Sequence, residues 1–366
     1  MSITEKKRRA NPALGKVRKK KRPKPRPIFT NQEIGWGLFG KLLSALERKL
    51  PPFDQVQTLE YPIPTSMKKG SVEHAIFLLC SCYYMRGKIN SNTALDLLGL
   101  LYTKIPWIFR PQQFHHLTER STAGLSQYIA NQLTENGLGF NATEVGAQWV
   151  HNMSLLANHW ESNPISIFEK AGGDYEVLCT ILMKSRRSKD PSHGFYGFRE
   201  KMVSMLSYFY IHAEIISPFP HPVPVDFHIL RMLVSHQVLG VKDMGGGSRL
   251  SVDRLSKAAR ALTLEYCRET GAEPRQLADA LWHTSREFCV EHPGNRSSVG
   301  TYKGRRTPII VKPLKWTPND HERYHRTCGR CVAQDSCKWN IASANYYVQG
   351  VIVVRGAKEK PLDLFL

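Results

Sequence analysis

Three cysteines fall inside ten residues near the end of the chain, CGRCVAQDSC from Cys328 to Cys337, with the spacing C-x2-C-x5-C. Two thiolates two residues apart reach one metal centre from a tight turn, and a third follows a few residues on. The run therefore supplies three ligands and asks for a fourth from elsewhere. That demand constrains the fold strongly, because a distant residue must be carried to this turn. Cys289, at the end of LADALWHTSREFC, is the candidate fourth ligand, with His321 and His325 as rivals on the approach to Cys328. The spacing admits a zinc site completed by Cys or His, or an iron–sulfur cluster completed by Cys. Cys80 and Cys82 stand two apart on a predicted helix and face different ways. Cys179 and Cys267 lie in apolar helical windows and read as core thiols. Eight cysteines among 366 residues are too sparse for a disulfide framework.

Charge narrows the class of partner. The chain carries 51 Lys+Arg against 31 Asp+Glu, a formal balance of +20. Residues 1–28 hold 12 Lys/Arg and one acid, net +11, which leaves +9 on the rest. A basic body as well as a basic arm points to a polyanion, nucleic acid before membrane. Pro23, Pro25 and Pro27 keep the arm from a regular helix, so 1–28 is expected to be a disordered cationic extension, either a localisation signal or a phosphate-binding tail. No stretch approaches the roughly 18 apolar residues of a membrane span, and the N-terminus is charged where a signal peptide has its apolar core. A soluble intracellular protein is expected, in the nucleus if eukaryotic and in the cytoplasm or nucleoid if prokaryotic.

The apolar share of 42% and the charged share of 22% are those of a globular chain, and the length allows two to three structural units. Helical periodicity begins near residue 33. It predicts two helices between Glu73 and Tyr102 around the polar break Arg86 to Asn92, and further helices at 122–136, 143–160 and 174–187. Met202, Met205, Leu206, Phe209, Tyr210 and Ala213 form one clean stripe. Four prolines within SPFPHPVPVD, Ser217 to Asp226, force an extended connection. Asp226 then opens a helix with Gly240 as its expected C-cap. Ser251 and Gly271 bracket the next helix, and Pro274 opens a last long one ending near Cys289. Residues 291–327 read as a basic loop without period, containing a short strand at Pro308 to Val311. The aromatic and β-branched YYVQGVIVV reads as one or two strands.

Two further segments carry chemistry. HGFYGFREKMVSML places a glycine turn before a helix start, where backbone N–H groups and the helix dipole hold phosphate. PVPVDFHILRML then fixes an aspartate at the mouth of the next helix. Alone, that aspartate reads as an N-cap and Lys201 as a solvated side chain. Trp149 and Trp160 read as core tryptophans before base-stacking ones.

Taken in order, GFYGFREKMVSM, VPVDFHILR and C-G-x-C-x3-D-x-C resemble the helix-hairpin-helix (HhH-GPD) superfamily of base-excision DNA glycosylases, in its endonuclease III-like branch with a [4Fe-4S] cluster. The resemblance covers about residues 70–337 and includes LLCSCYYMRGKINSNTALDLLGLLY, similar to the segment that probes the duplex, with Cys82 where that branch often has Gln. It implies an all-α, two-lobed fold with a C-terminal cluster loop. The N-terminal helix of 29–64 packs with the cluster lobe, 65–225 forms the central lobe with its hairpin at 194–206, and 226–337 forms the catalytic-Asp and cluster lobe with a basic insertion at 291–327. A C-terminal extension occupies 338–366.

The resemblance implies that Asp226 is the essential carboxylate and that Lys201 stands where bifunctional members keep a Schiff-base lysine. Gly197 matches the first hairpin glycine, and Arg199 replaces the second as a phosphate contact. Cys289, Cys328, Cys331 and Cys337 become the cluster ligands. The gap from Cys289 to Cys328, normally six residues, is thirty-eight here, and Arg296, Lys303, Arg305 and Arg306 within it are expected to track DNA. Lys201 and Asp226 are further apart in sequence than in the family. His228 falls in a D-x-H run and is expected to orient its helix. The implied partner is double-stranded DNA containing a target base, bound by a monomer that touches no membrane. The alternatives are a non-catalytic iron–sulfur DNA-binding protein of the same fold and a zinc-bearing nucleic-acid-binding module.

Overall fold

The computed structural model describes residues 27–56, 63–84, 91–137, 141–183, 189–242, 249–289, 317–337, 346–348 and 351–353. The protein is mostly helical, 68% helix against 4% strand, and its buried side chains form one continuous apolar cluster running from Leu38 to Ala333. Among the described residues, no helix is long and apolar enough to cross a membrane.

The first half is a stack of helices. α2 (Val72–Tyr84) and α3 (Ser91–Lys104) lie either side of the expected break, and α4 (Glu119–Glu135), α5 (Ala142–His159), α6 (Ile165–Ala171) and α7 (Tyr175–Leu182) follow. α4 and α5 form a tight antiparallel pair. Thr118 caps α4 by accepting from the Ser121 N–H, and Asp174 caps α7 by accepting from Glu176 and Val177. Trp149 is fully buried and donates to the Ile108 carbonyl at 2.9 Å, while Trp160 donates to the Ser192 carbonyl at 2.9 Å. Both are core residues. Cys80, Cys82, Cys179 and Cys267 are buried as well.

α8 (Glu200–His212) buries the expected stripe and reaches α2 through Tyr210, whose hydroxyl donates to the Ala75 carbonyl at 2.8 Å. The proline-rich connection runs extended, with His221, Val223 and Val225 turned into the core. α9 (Phe227–Ser235) is shorter than its sequence implies: it stops at Ser235 with His236 as C-cap, and Gly240 is not its cap. Gly240 instead sits in β2 (Leu239–Val241), paired antiparallel with β1 (Ile28–Thr30), where it faces Phe29. A pairing partner some two hundred residues away claims that backbone.

α1 (Gln32–Glu47) follows β1 and lays Leu38, Phe39, Leu42 and Ala45 into the core beside α10 (Val252–Thr270) and α11 (Pro274–His283). Tyr266 of α10 meets both Trp36 and Phe39 edge-on. α10 runs from Ser251 to a left-handed Gly271, as the sequence reads. α11 opens at Pro274, and its last turn widens into a π-helix over Thr284–Phe288 before Cys289. The stretch read as a loop contains α12 (Pro318–Arg326), started by a capping box in which Thr317 and Asp320 satisfy each other's N–H groups. β4 (Tyr346–Val348) and β5 (Val351–Val353) form a hairpin that adds β3 (Arg249–Ser251) at the edge of β5.

Candidate functional site

The hairpin before α8 is held from behind by α5. Asn152, fully buried, grips the Tyr196 backbone at both ends: its Nδ2 donates to the carbonyl at 3.0 Å and its Oδ1 accepts from the N–H at 2.7 Å. The His151 ring stacks on Tyr196 at 3.6 Å between centroids. Gly197 takes φ +87, a left-handed conformation open to glycine. Arg199, in place of a second glycine, adopts extended backbone (φ −133, ψ 169), which any residue tolerates, so the substitution imposes no strain. Its side chain is exposed and does not cap the helix. The N–H groups of Glu200 and Lys201 are left at the start of α8 with no acceptor among the described residues. The Glu200 carboxylate pairs with Arg260 of α10.

Asp226 is the N-cap of α9. Its Oδ1 accepts from the Ile229 N–H at 2.9 Å, and its Oδ2 has no hydrogen-bond partner among the described residues. The side chain is half-buried. His228, two residues on, reports how the site is assembled. Burial is the main cause that pushes its imidazole below the ordinary value. Asp226 opposes that shift, while Arg231, Arg286 and Lys201 reinforce it. Asp226 and Lys201, distant in sequence, thus both act on this one imidazole. The His228 Nδ1 is buried without a hydrogen-bond partner.

Arg231 is the functional candidate that sequence reading passed over. It is 6% exposed, and its Nη2 donates to the Ser285 carbonyl inside the π-helical turn at 2.8 Å. Burial lowers its pKa, while the charges of Cys289 and Asp226 hold it up. One guanidinium thus stands between the Asp226 helix and the Cys289 turn. Its signal in the sequence was an arginine five residues after Asp226, set among the apolar Ile229, Leu230, Met232 and Leu233.

Cys289 feels the charges of Cys331, Cys328 and Cys337. Burial first, then these thiols, raise its pKa well above the usual value. Cys328 is pushed up to about 12, chiefly by burial, and Cys331 is raised for the same reason. An all-thiol donor set, partly buried and mutually repulsive on ionisation, suits a centre of positive iron or zinc ions. Among the described residues, no group of three or more His, Cys, Asp or Glu side chains stands ready to hold a single metal ion. His325 lies on α12 against Tyr324 and near Gly329. Arg296, Lys303, Arg305 and Arg306, and the segment expected to probe the duplex at 85–90, lie outside the described residues.

A cavity of about 670 Å³ lined by Lys69, His212, Glu214 and Arg275 opens at the C-terminal end of α8, the opposite end from Lys201. No protein-family model matches this chain, and no curated protein matches it.

Proposed function

We propose that this chain is a DNA glycosylase of the HhH-GPD kind, which binds double-stranded DNA as a monomer, extrudes a damaged, mismatched or modified base and cleaves its N-glycosidic bond. The observation that carries the reading is the Asp226 carboxylate, which caps α9 through Oδ1 with Oδ2 unengaged among the described residues and acts on the same His228 imidazole as Lys201 at the start of α8. The Oδ1 bond to Ile229 fixes the carboxylate and leaves Oδ2 for the sugar. There it stabilises the positive charge that develops at C1′ as the bond electrons leave with the base, and it steers the attacking nucleophile. The hairpin from Gly197 to Lys201 grips the phosphate backbone beside the target, with Arg199 as a further contact. Lys201 Nζ is the nucleophile of an accompanying lyase step: it forms a Schiff base with C1′, and β-elimination then breaks the C3′–O bond.

Cys289, Cys328, Cys331 and Cys337 would hold the [4Fe-4S] cluster, which, when bound, cross-links the π-helical turn to the C-terminal loop. Arg296, Lys303, Arg305 and Arg306 are assigned to the DNA backbone by the same reading.

The test is mass-spectrometric identification of bases released from heterogeneously damaged duplex DNA. Base release that drops by about 10²–10⁴-fold in Asp226→Asn, with DNA binding retained, supports the enzyme. Borohydride trapping of a covalent DNA adduct that Lys201→Ala loses supports the lyase step. The cap bond of Asp226 gives the carboxylate a purely structural job as well, and this favours a second reading, a DNA-binding protein without catalysis. Wild-type protein that binds DNA yet releases no base across a broad lesion panel establishes it. Iron and sulfide content against zinc content decides the nature of the metal centre.

A further inference from the structure

One cation of the π-helical turn is left unused by the reading above. Arg286 belongs to the π-helical turn, and its guanidinium carbon lies 4.6 Å from the centroid of the Trp282 ring, one turn earlier. Both side chains are half-buried. The neighbouring acid is engaged elsewhere, since Glu287 pairs with His283 at 3.2 Å. Among the described residues, Arg286 itself makes no hydrogen bond or ion pair. An arginine stacked on an indole has little freedom left to lose, yet its N–H groups lie in the guanidinium plane and stay available for an anion. Arg231 bonds to the Ser285 carbonyl with its guanidinium carbon 6.0 Å from the Phe227 ring centroid, which sets the π-helical turn carrying Arg286 against the start of α9, the mouth proposed above for DNA. Arg231 itself is buried and bonded to Ser285, so Arg286 is the guanidinium of this pair left to meet a ligand.

We propose that Arg286, stacked on Trp282, takes a phosphodiester group of the DNA strand next to the target nucleotide. Trp282 is a positioning residue that presents the guanidinium fork. The assignment rests on the DNA-binding reading of the mouth. It adds to that reading a specific backbone contact from the helix end that leads into the cysteine loop, on the side of Asp226 away from the hairpin in sequence. A bidentate arginine contact is stiff as well as charged, so it sets where the sugar sits against Asp226 Oδ2 and does more than add affinity.

The experiment measures binding of the holoprotein to a duplex carrying a stable abasic-site analogue across a salt series, for wild type, Arg286→Gln, Arg286→Lys and Trp282→Leu. Removing one phosphate contact lowers the slope of log K against log salt by about 0.9 and weakens binding roughly tenfold near 0.1 M salt. Arg286→Gln is expected to show both changes. Arg286→Lys keeps the slope and loses part of the affinity, because a point charge replaces the fork. Trp282→Leu also keeps the slope and loses part of the affinity, since the charge remains but is no longer held. The inference is overturned if Arg286→Gln retains the wild-type slope and affinity, or if inorganic phosphate at millimolar concentration competes with DNA for wild type and Arg286→Gln alike. Wild type that fails to bind the duplex at all sinks the DNA reading itself, which is a different result.

Discussion

Asp226 joins a helix cap to the proposed chemistry, and two substitutions at one position separate them. Asparagine caps a helix about as well as aspartate, whereas alanine removes the acceptor for the Ile229 N–H and costs about 1 kcal/mol. Asp226→Asn is therefore expected to keep the wild-type melting temperature and lose base release, and Asp226→Ala to lose both. Thermal unfolding of the two proteins checks this, and equal destabilisation would remove the cap from the account. A second residue-scale expectation concerns His221 in the proline-rich connection. It is fully buried and pushed down from 6.5 to about 4, mainly by burial, against smaller opposing effects of the Phe219 carbonyl and Glu273. Its folded pKa lies below its unfolded one, so below pH 6.5 the unfolded chain takes up a proton that the folded chain refuses. His221 therefore lowers stability as pH falls from 6.5 to about 4 and adds nothing further below that. His74, pushed down to about 4 by burial and then by Lys69, acts in the same direction. The full effect of one such buried histidine is roughly 3 kcal/mol at most. Urea midpoints at pH 7 and pH 4.5 should diverge more in wild type than in His221→Gln.

Among the elements, α5 does most to place the hairpin, and its own position depends on one glycine. A Cβ at Gly146 would lie 2.4 Å from the Ser126 carbonyl oxygen and 3.0 Å from the Ala130 nitrogen of α4. Backbone cannot yield as a flexible side chain does, so Gly146→Ala is expected to cost about 1–3 kcal/mol by forcing α4 and α5 apart. Gly37 in α1 has nothing within 4 Å of the same added atom, and Gly37→Ala should stabilise by up to about 1 kcal/mol through helix propensity. Opposite shifts in melting temperature are the check. The elements also show what the sequence could and could not reveal. Ser251, Gly271 and Pro274 mark α10 and α11 correctly because caps are local signals. α12 escaped because Asp320 and Tyr324 are its buried residues, and a helix so polar leaves no apolar period to read. Gly240 misled because its strand partner is remote in the chain. The bond from Arg231 to Ser285 is likewise a product of tertiary packing that no spacing rule contains. The left-handed Gly197 and the capping Asp226 were legible, since each is a local conformational requirement.

Across the whole molecule, the segment from Ile28 to Asp54 is fastened both to the later helices and to the cysteine loop. β1 pairs with β2, α1 rests on α10 and α11, and two ion pairs reach from this N-terminal segment to the loop: Lys41 Nζ to Asp335 at 2.7 Å and Asp54 to Arg330 Nη2 at 2.6 Å. Asp335 and Arg330 both lie between Cys328 and Cys337. Each pair is partly exposed and adds little to global stability, so their main effect is expected to be local, holding the loop closed over whatever the thiols bind. Reversing the two N-terminal charges with Lys41→Glu and Asp54→Lys places like charges opposite Asp335 and Arg330. If the thiols hold the metal centre proposed above, the double variant should melt within a few degrees of wild type yet lose that metal to a chelator several times faster. Adding Asp335→Lys and Arg330→Glu restores both attractions and should restore the slow release, because the coupling belongs to the pairs and not to any one charge. If the double and quadruple variants release metal at the same rate, the N-terminal segment does not hold the loop. The apolar contacts of Leu38, Phe39 and Leu42 would then be its contribution to the fold.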